Sequence, residues 1–160
     1  MRKLAIAIDG PAGAGKSSVA KILAANMGYA YLDTGAMYRA VTYEVLRREL
    51  TEEKDIVALA AGMDMTVKPE TDAMHVIVNG HDVTDHIRTP EVSARVSAVS
   101  ALAGVRAAMV EIQRRQAAKG GIVLDGRDIG TTVLPHADVK IFLTAVSYTH
   151  LRAHETAANL

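Results

Sequence analysis

The sequence predicts an α/β fold in three layers: a parallel core sheet flanked by helices, plus a small antiparallel insert. Three observations carry this. KLAIAID (3–9), GIVLDGRD (121–128) and ADVKIFLTA (137–145) contain nearly continuous apolar runs, the pattern of strands covered on both faces, as in a parallel sheet. Stretches with helical spacing lie between them, so the strands are joined by crossovers. Around residues 63–90 the period changes to alternation, with turn signals at Pro69 and Asn79-Gly80.

Taken in order, residues 3–9 form a buried strand, and residues 16–27 a helix ending before Gly28. YAYLDTG is a short strand running into a turn. AMYRAVTYEVLRREL is an amphipathic helix with Met37, Val41, Val45 and Leu46 on one stripe. TEEKDIVALAAGM starts with a cap-like Thr51 and acids in the first turn, so another helix follows. MDMTVKPE, AMHVIVNG and HDVTD alternate apolar and polar residues and form the inserted sheet. Residues 90–121 are helical, in two pieces joined near Ala103-Gly104, before the strands GIVLDGRD and ADVKIFLTA.

Composition narrows the function. The 160 residues suit one domain, and 49% hydrophobic with 22% charged residues is a globular composition. Zero formal net charge gives no general attraction to nucleic acid or membrane, so any anion site is local. Aromatics at 4%, without tryptophan, argue against a base-stacking platform. The absence of cysteine excludes a disulfide framework, a zinc thiolate site and a catalytic thiol. MRKLAIAID is too short for a signal-peptide core and no run approaches a membrane span, so a soluble cytoplasmic protein is expected. The histidines at 75, 81, 86, 136, 150 and 154 show no metal-ligand spacing and read as surface or turn residues.

In parallel sheets, ligands bind at the carboxyl ends of strands. The loops following three of the strands, GPAGAGKSS, DTGAMYR and DGRDIG, are the most polar glycine-bearing loops, and a single crevice is the economical reading. Gly10, Gly15, Lys16 and Ser17 fit G-x-x-x-x-G-K-[ST]. Glycine turns the backbone tightly and aims successive N–H groups inward, and the helix starting near Lys16 adds its positive end. Lys16 then reaches the β- and γ-phosphates, and the Ser17 hydroxyl ligates Mg²⁺. Asp125, closing the run GIVL, faces this loop and can hold Mg²⁺ through water. Arg39 and Arg127 flank the crevice, where guanidinium forks bind an acceptor phosphate and offset charge during transfer. Asp128 would be repelled by phosphate and suits donors such as a base amino group. A hydrolase-like triad is not needed, because positioning and electrostatics do most of the work of phosphoryl transfer.

Together, IDGPAGAGKSS, YLDTGAMYRA, the inserted sheet with DVTDHIRTPEVS, the VR of LAGVRAAM and DGRDIGTTVLPHADVKIFLTA resemble the bacterial cytidylate kinases, members of the P-loop nucleoside monophosphate kinases. The resemblance runs from Met1 to about Ala145. DTGAMYR alone is less specific, since adenylate kinases carry a similar T-G-x-M-x-R; the insert and GRD-x-G-T favour the cytidylate type. The resemblance implies that Gly10, Pro11, Ala12, Gly13, Ala14, Gly15, Lys16, Ser17 and Ser18 bind the phosphates of ATP. It implies that Thr34, Tyr38 and Arg39 belong to the monophosphate-binding loop and that Arg127 binds the phosphate of CMP. Ser97, Arg106 and Asp128 then read the cytosine. Lys16, Arg39 and Arg127 are the expected catalytic residues, and Ser17 with Asp125 (through water) the expected Mg²⁺ ligands. The implied reaction is ATP with CMP or dCMP giving ADP with CDP or dCDP, in a monomer whose insert (about 63–90) closes over substrate. Alternatives are a kinase for UMP or AMP, or a nucleotide-dependent module without catalysis; a GTPase switch would need N-K-x-D, which is absent from the sequence.

The resemblance lapses after KIFLTA. Where the family continues with an arginine-rich helix and lid, a last strand and a last helix, this chain reads VSYTHLRAHETAANL. That tail resembles a recurrent artefactual ending of assembled sequences. The expected division is therefore an incomplete kinase domain over 1–145 and a non-native tail over 146–160, with lid and last strand missing. Poor phosphoryl transfer and an exposed apolar sheet edge are expected to follow.

Overall fold

A computed structural model describes residues 2–69 and 74–144; the predicted tail lies outside them. The strands β1 (Ala5–Asp9), β2 (Ala30–Asp33), β6 (Ile122–Gly126) and β7 (Val139–Phe142) form one parallel sheet in the order β2-β6-β1-β7. Between them run α1 (Lys16–Met27), α2 (Thr34–Arg47), α3 (Glu53–Gly62), α4 (Pro90–Ser100) and α5 (Ala103–Ala117). A second, antiparallel sheet comprises β3 (Met65–Pro69), β4 (Met74–Val78) and β5 (His81–Asp82).

The apolar runs follow from burial on both faces. Ile6, Ile8, Tyr31 and Val123 pack with Ala20 and Ala24 of α1. Their alternating neighbours Ala7, Leu32, Ile122 and Leu124 join the larger core with Met37, Val41, Val105, Met109 and the insert's Val76 and Val78. Helix, sheet and helix form the three expected layers. β7 differs: among the described residues it is one edge of the sheet, opposite β2, and Phe142 is 68% exposed. The insert turns at Asn79-Gly80, where both residues have positive φ (48° and 83°), as a type I′ hairpin requires.

Three local expectations need correction. Glu52, not Thr51, is the cap residue of α3, and it makes no side-chain cap bond. The helical stretch breaks at Ala101–Leu102, earlier than Ala103-Gly104, and the two helices meet at 97°. Leu102 has the extended conformation of a cap, whereas Gly104 lies in the first turn of α5; a Cβ there would run into Val57 of α3, so this glycine serves packing. Finally, the segment after β6 is not a plain loop but includes a π-helical turn, Ile129–Val133. No single helix among the described residues is long and apolar enough to cross a membrane.

Candidate functional site

Parallel, nearly in-register pairing puts the carboxyl ends of β1, β2 and β6 at one edge of the sheet. Asp33 is paired in register with Asp125, and Asp9 with Gly126. The chain leaving β1 enters the glycine-rich loop. Gly13 and Gly15 have φ of 80° and 86°, and Gly15 opens α1 without a side-chain cap, leaving its first amides to point outward. At Gly10 (φ 152°) a Cβ would overlap the Leu143 carbonyl oxygen beyond β7, so glycine is required there. Lys16 Nζ donates to the carbonyls of Gly10 (2.7 Å) and Pro11 (3.1 Å), which holds the ammonium over the loop.

A crevice of about 330 Å³ adjoins this loop. Lys16, Ser17, Thr34, Tyr38, Arg39, Ser97, Arg106, Asp125, Arg127 and Asp128 all line it. Gly10, Pro11, Ala12, Gly13, Ala14, Gly15 and Ser18 do not; they belong to the loop and first helical turn that carry Lys16 and Ser17. A second cavity of about 380 Å³, largely apolar, opens at the far end of β1, near Ala5, and includes none of the predicted residues.

Each wall of the crevice is braced. Asp33 caps α2 by accepting from the Ala36 amide (3.2 Å) and pairs with Arg88 (3.2 Å). Arg39 reaches from α2 to the Ser93 hydroxyl on α4 (2.9 Å) and the Ile87 carbonyl (3.4 Å). Arg106 of α5 pairs with Asp128, which joins two of the three residues expected to face a base. The Thr34 hydroxyl donates to the Asp125 carbonyl at 2.8 Å, and the Asp9 carboxylate accepts from the Ile129 (2.6 Å) and Gly130 (2.7 Å) amides, fixing the turn beyond Arg127.

Asp125 is the electrostatic centre. It is 3% exposed, and its carboxylate accepts from the Ser17 hydroxyl and the Tyr31 phenol, each at 3.0 Å. Burial first, and the Asp33 charge second, push its pKa up to about 6, against the pull of Ser17, Tyr31 and Lys16. The same surroundings, burial and then Asp33 and Asp125, raise the Tyr31 phenol far above its ordinary range. Ser17 and Asp125 offer hard oxygen donors, and a buried carboxylate this poorly compensated fits a divalent cation nearby. No cluster of three or more His, Cys, Asp or Glu residues suited to a metal occurs among the described residues.

Sequence reasoning missed Asp9, Tyr31 and Asp33. One signal could have found the acids: IAID, AYLD and IVLD each carry an aspartate at, or one residue before, the end of a core strand. Of the histidines, His75 pairs with Asp82 at 2.8 Å and His86 stacks on Tyr43; His150 and His154 lie outside the described residues.

Residues 6–159 match the family model described as cytidylate kinase. The chain is 53% identical over 148 residues to a cytidylate kinase of Desulfitobacterium hafniense, which covers 91% of this chain and 63% of that protein. It is 54% identical to that of Bacillus licheniformis (90% and 65% covered) and 53% identical to that of Bacillus subtilis (90% and 65%). The chain thus spans 63–65% of the length of these curated relatives.

Proposed function

The chain belongs to the cytidylate kinase family, and from that premise we propose that it transfers the γ-phosphoryl group of ATP to CMP or dCMP, giving ADP and CDP or dCDP. The observation that carries the reading is the shared crevice: the lysine and serine of the phosphate loop line the same space as Arg39, Arg127 and the Arg106–Asp128 pair. A donor loop and an acceptor wall that open into one space put two phosphorylated molecules within reach of each other.

Lys16 holds the β- and γ-phosphates of ATP, with the loop amides of residues 10–18 around them. Arg39 and Arg127 fork onto the acceptor phosphate and offset charge as the phosphoryl group passes. Thr34 and Tyr38 complete the acceptor loop, and Ser97, Arg106 and Asp128 face the cytosine. Ser17 directly and Asp125 through water would hold Mg²⁺, which neutralises charge on the donor phosphates. Residues 1–145 act in this reading as the kinase domain, and the insert at about 63–90 closes on substrate, because water in the site would divert the phosphoryl group to hydrolysis. The protein works as a monomer in the cytoplasm, on small molecules rather than nucleic acid or membrane.

An ADP-coupled assay comparing CMP, dCMP, UMP and AMP tests the proposal. Turnover concentrated on CMP and dCMP is expected; a preference for AMP would overturn the assignment of the acceptor wall.

A further inference from the structure

Arg39 is expected to fork onto the acceptor phosphate, yet one corner of its guanidinium is already taken. Nη1 donates to the Ser93 hydroxyl at 2.9 Å and to the Ile87 carbonyl at 3.4 Å. Both of its hydrogens are thus used, and the shorter bond goes to the serine. Among the described residues, Nε and Nη2 make no hydrogen bond. They form the other edge of the fork, with near-parallel N–H groups that match the spacing of phosphate oxygens. Arg39 lines the crevice, whereas Ser93 does not.

The two acceptors sit on a firm base. Ile87 and Val92 are each 1% exposed. Between them α4 starts with Thr89 as its cap, whose hydroxyl accepts from the Val92 amide at 3.3 Å, and with Pro90 in its first turn. The Ser93 amide closes that turn on the Thr89 carbonyl at 3.0 Å. Ser97 lies one turn further along the same face of α4 and lines the crevice, so one helix face serves both the arginine and the crevice wall. A long arginine side chain loses much rotamer freedom when it binds a ligand, and a nitrogen pinned beforehand reduces that loss.

We infer that Ser93 is a positioning residue for the acceptor phosphate: its hydroxyl holds Arg39 Nη1 against α4, so that the Nε–Nη2 edge is free for the phosphate before the nucleotide arrives. This rests on the acceptor reading above. Ser93 itself touches no substrate.

The test is Ser93→Ala in the full chain, alone and with Arg39→Met, beside Ser93→Thr. Calorimetry follows the binding of CMP, cytidine and ATP, and circular dichroism the melting midpoint. Alanine suits a helix, so the midpoint should not fall. Ser93→Ala is expected to weaken CMP roughly three- to tenfold. Cytidine, which lacks the phosphate, and ATP should bind as before. Ser93→Thr keeps a hydroxyl and should retain the parent's CMP affinity. In the Arg39→Met background, Ser93→Ala should weaken CMP no further, because the group it acts through is gone. Equal losses for CMP and cytidine would mark a merely structural role and overturn the inference. So would a loss shared by ATP, an unchanged or tighter CMP, no rescue by threonine, or a further loss in the Arg39→Met background. If the unaltered chain binds CMP no better than cytidine, the acceptor reading falls and this inference with it.

Discussion

The substitution Asp125→Asn should make the protein more stable and less active, and the gain in stability should depend on pH. The carboxyl's pKa rises from the ordinary 3.8 to about 6 on folding. An acid raised in the folded state destabilises it once the unfolded carboxyl ionises. The penalty is therefore negligible below the unfolded pKa, grows between about pH 4 and pH 6, and is constant above. At about 1.4 kcal/mol per pH unit, the full penalty is about 3 kcal/mol. The amide of the variant escapes it, because like the protonated carboxyl it stays neutral, and the bonds from Ser17 and Tyr31 are already counted in that net shift. Urea unfolding of both proteins at about pH 4 and about pH 7.5 reads the difference directly, because other titrating groups cancel. Asp125→Asn should gain about 2 kcal/mol more at the higher pH, which in thermal unfolding corresponds to a Tm shift of about 4–8 °C for a chain of this size. Turnover with Mg²⁺ and ATP should fall by about 100-fold or more, since the cation loses a charged partner. A stability difference equal at the two pH values would refute the reasoning: the carboxyl would then carry no burial penalty.

Other substitutions probe the remaining parts of the site. In the complete protein, Lys16→Ala should abolish measurable CMP-dependent ADP formation, a loss of about 1,000-fold or more, because it removes the cation held over the phosphate loop; the coupled assay reads it. Arg127→Ala should weaken CMP about 10- to 100-fold while ATP changes little, and equal loss of both in calorimetric titrations would contradict its assignment to the acceptor. Gly126→Ala should cost about 1–3 kcal/mol in urea unfolding, since the new methyl would sit 2.7 Å from both Thr34 Oγ1 and Ile129 Cδ1.

Much of this protein is legible locally. The glycine spacing of the phosphate loop, the Asn79-Gly80 hairpin and the switch from helical to alternating periodicity depend on residues a few positions apart, so the chain displays them directly. The continuous apolar runs likewise announce a sheet covered on both faces, and β1, β2 and β6 are buried accordingly. Gly104 shows the limit of such reading. A glycine inside a helical stretch looks like a break, but its reason is the side chain of Val57 on another helix.

The site's chemistry is of the second kind. Asp33 and Asp125 share a strand-end register, and burial first, with that proximity second, raises the Asp125 pKa. Arg39 owes its position to partners on and just before α4, and Gln113 of α5 is buried beside Met37 of α2. Burial and Coulomb energy sum over groups far apart along the chain, and the sum is undefined until the strands have a register and the helices a packing. The primary structure thus determines which chemistry is available and in which loops; the folded arrangement sets how strongly each group is charged, where it points and what braces it.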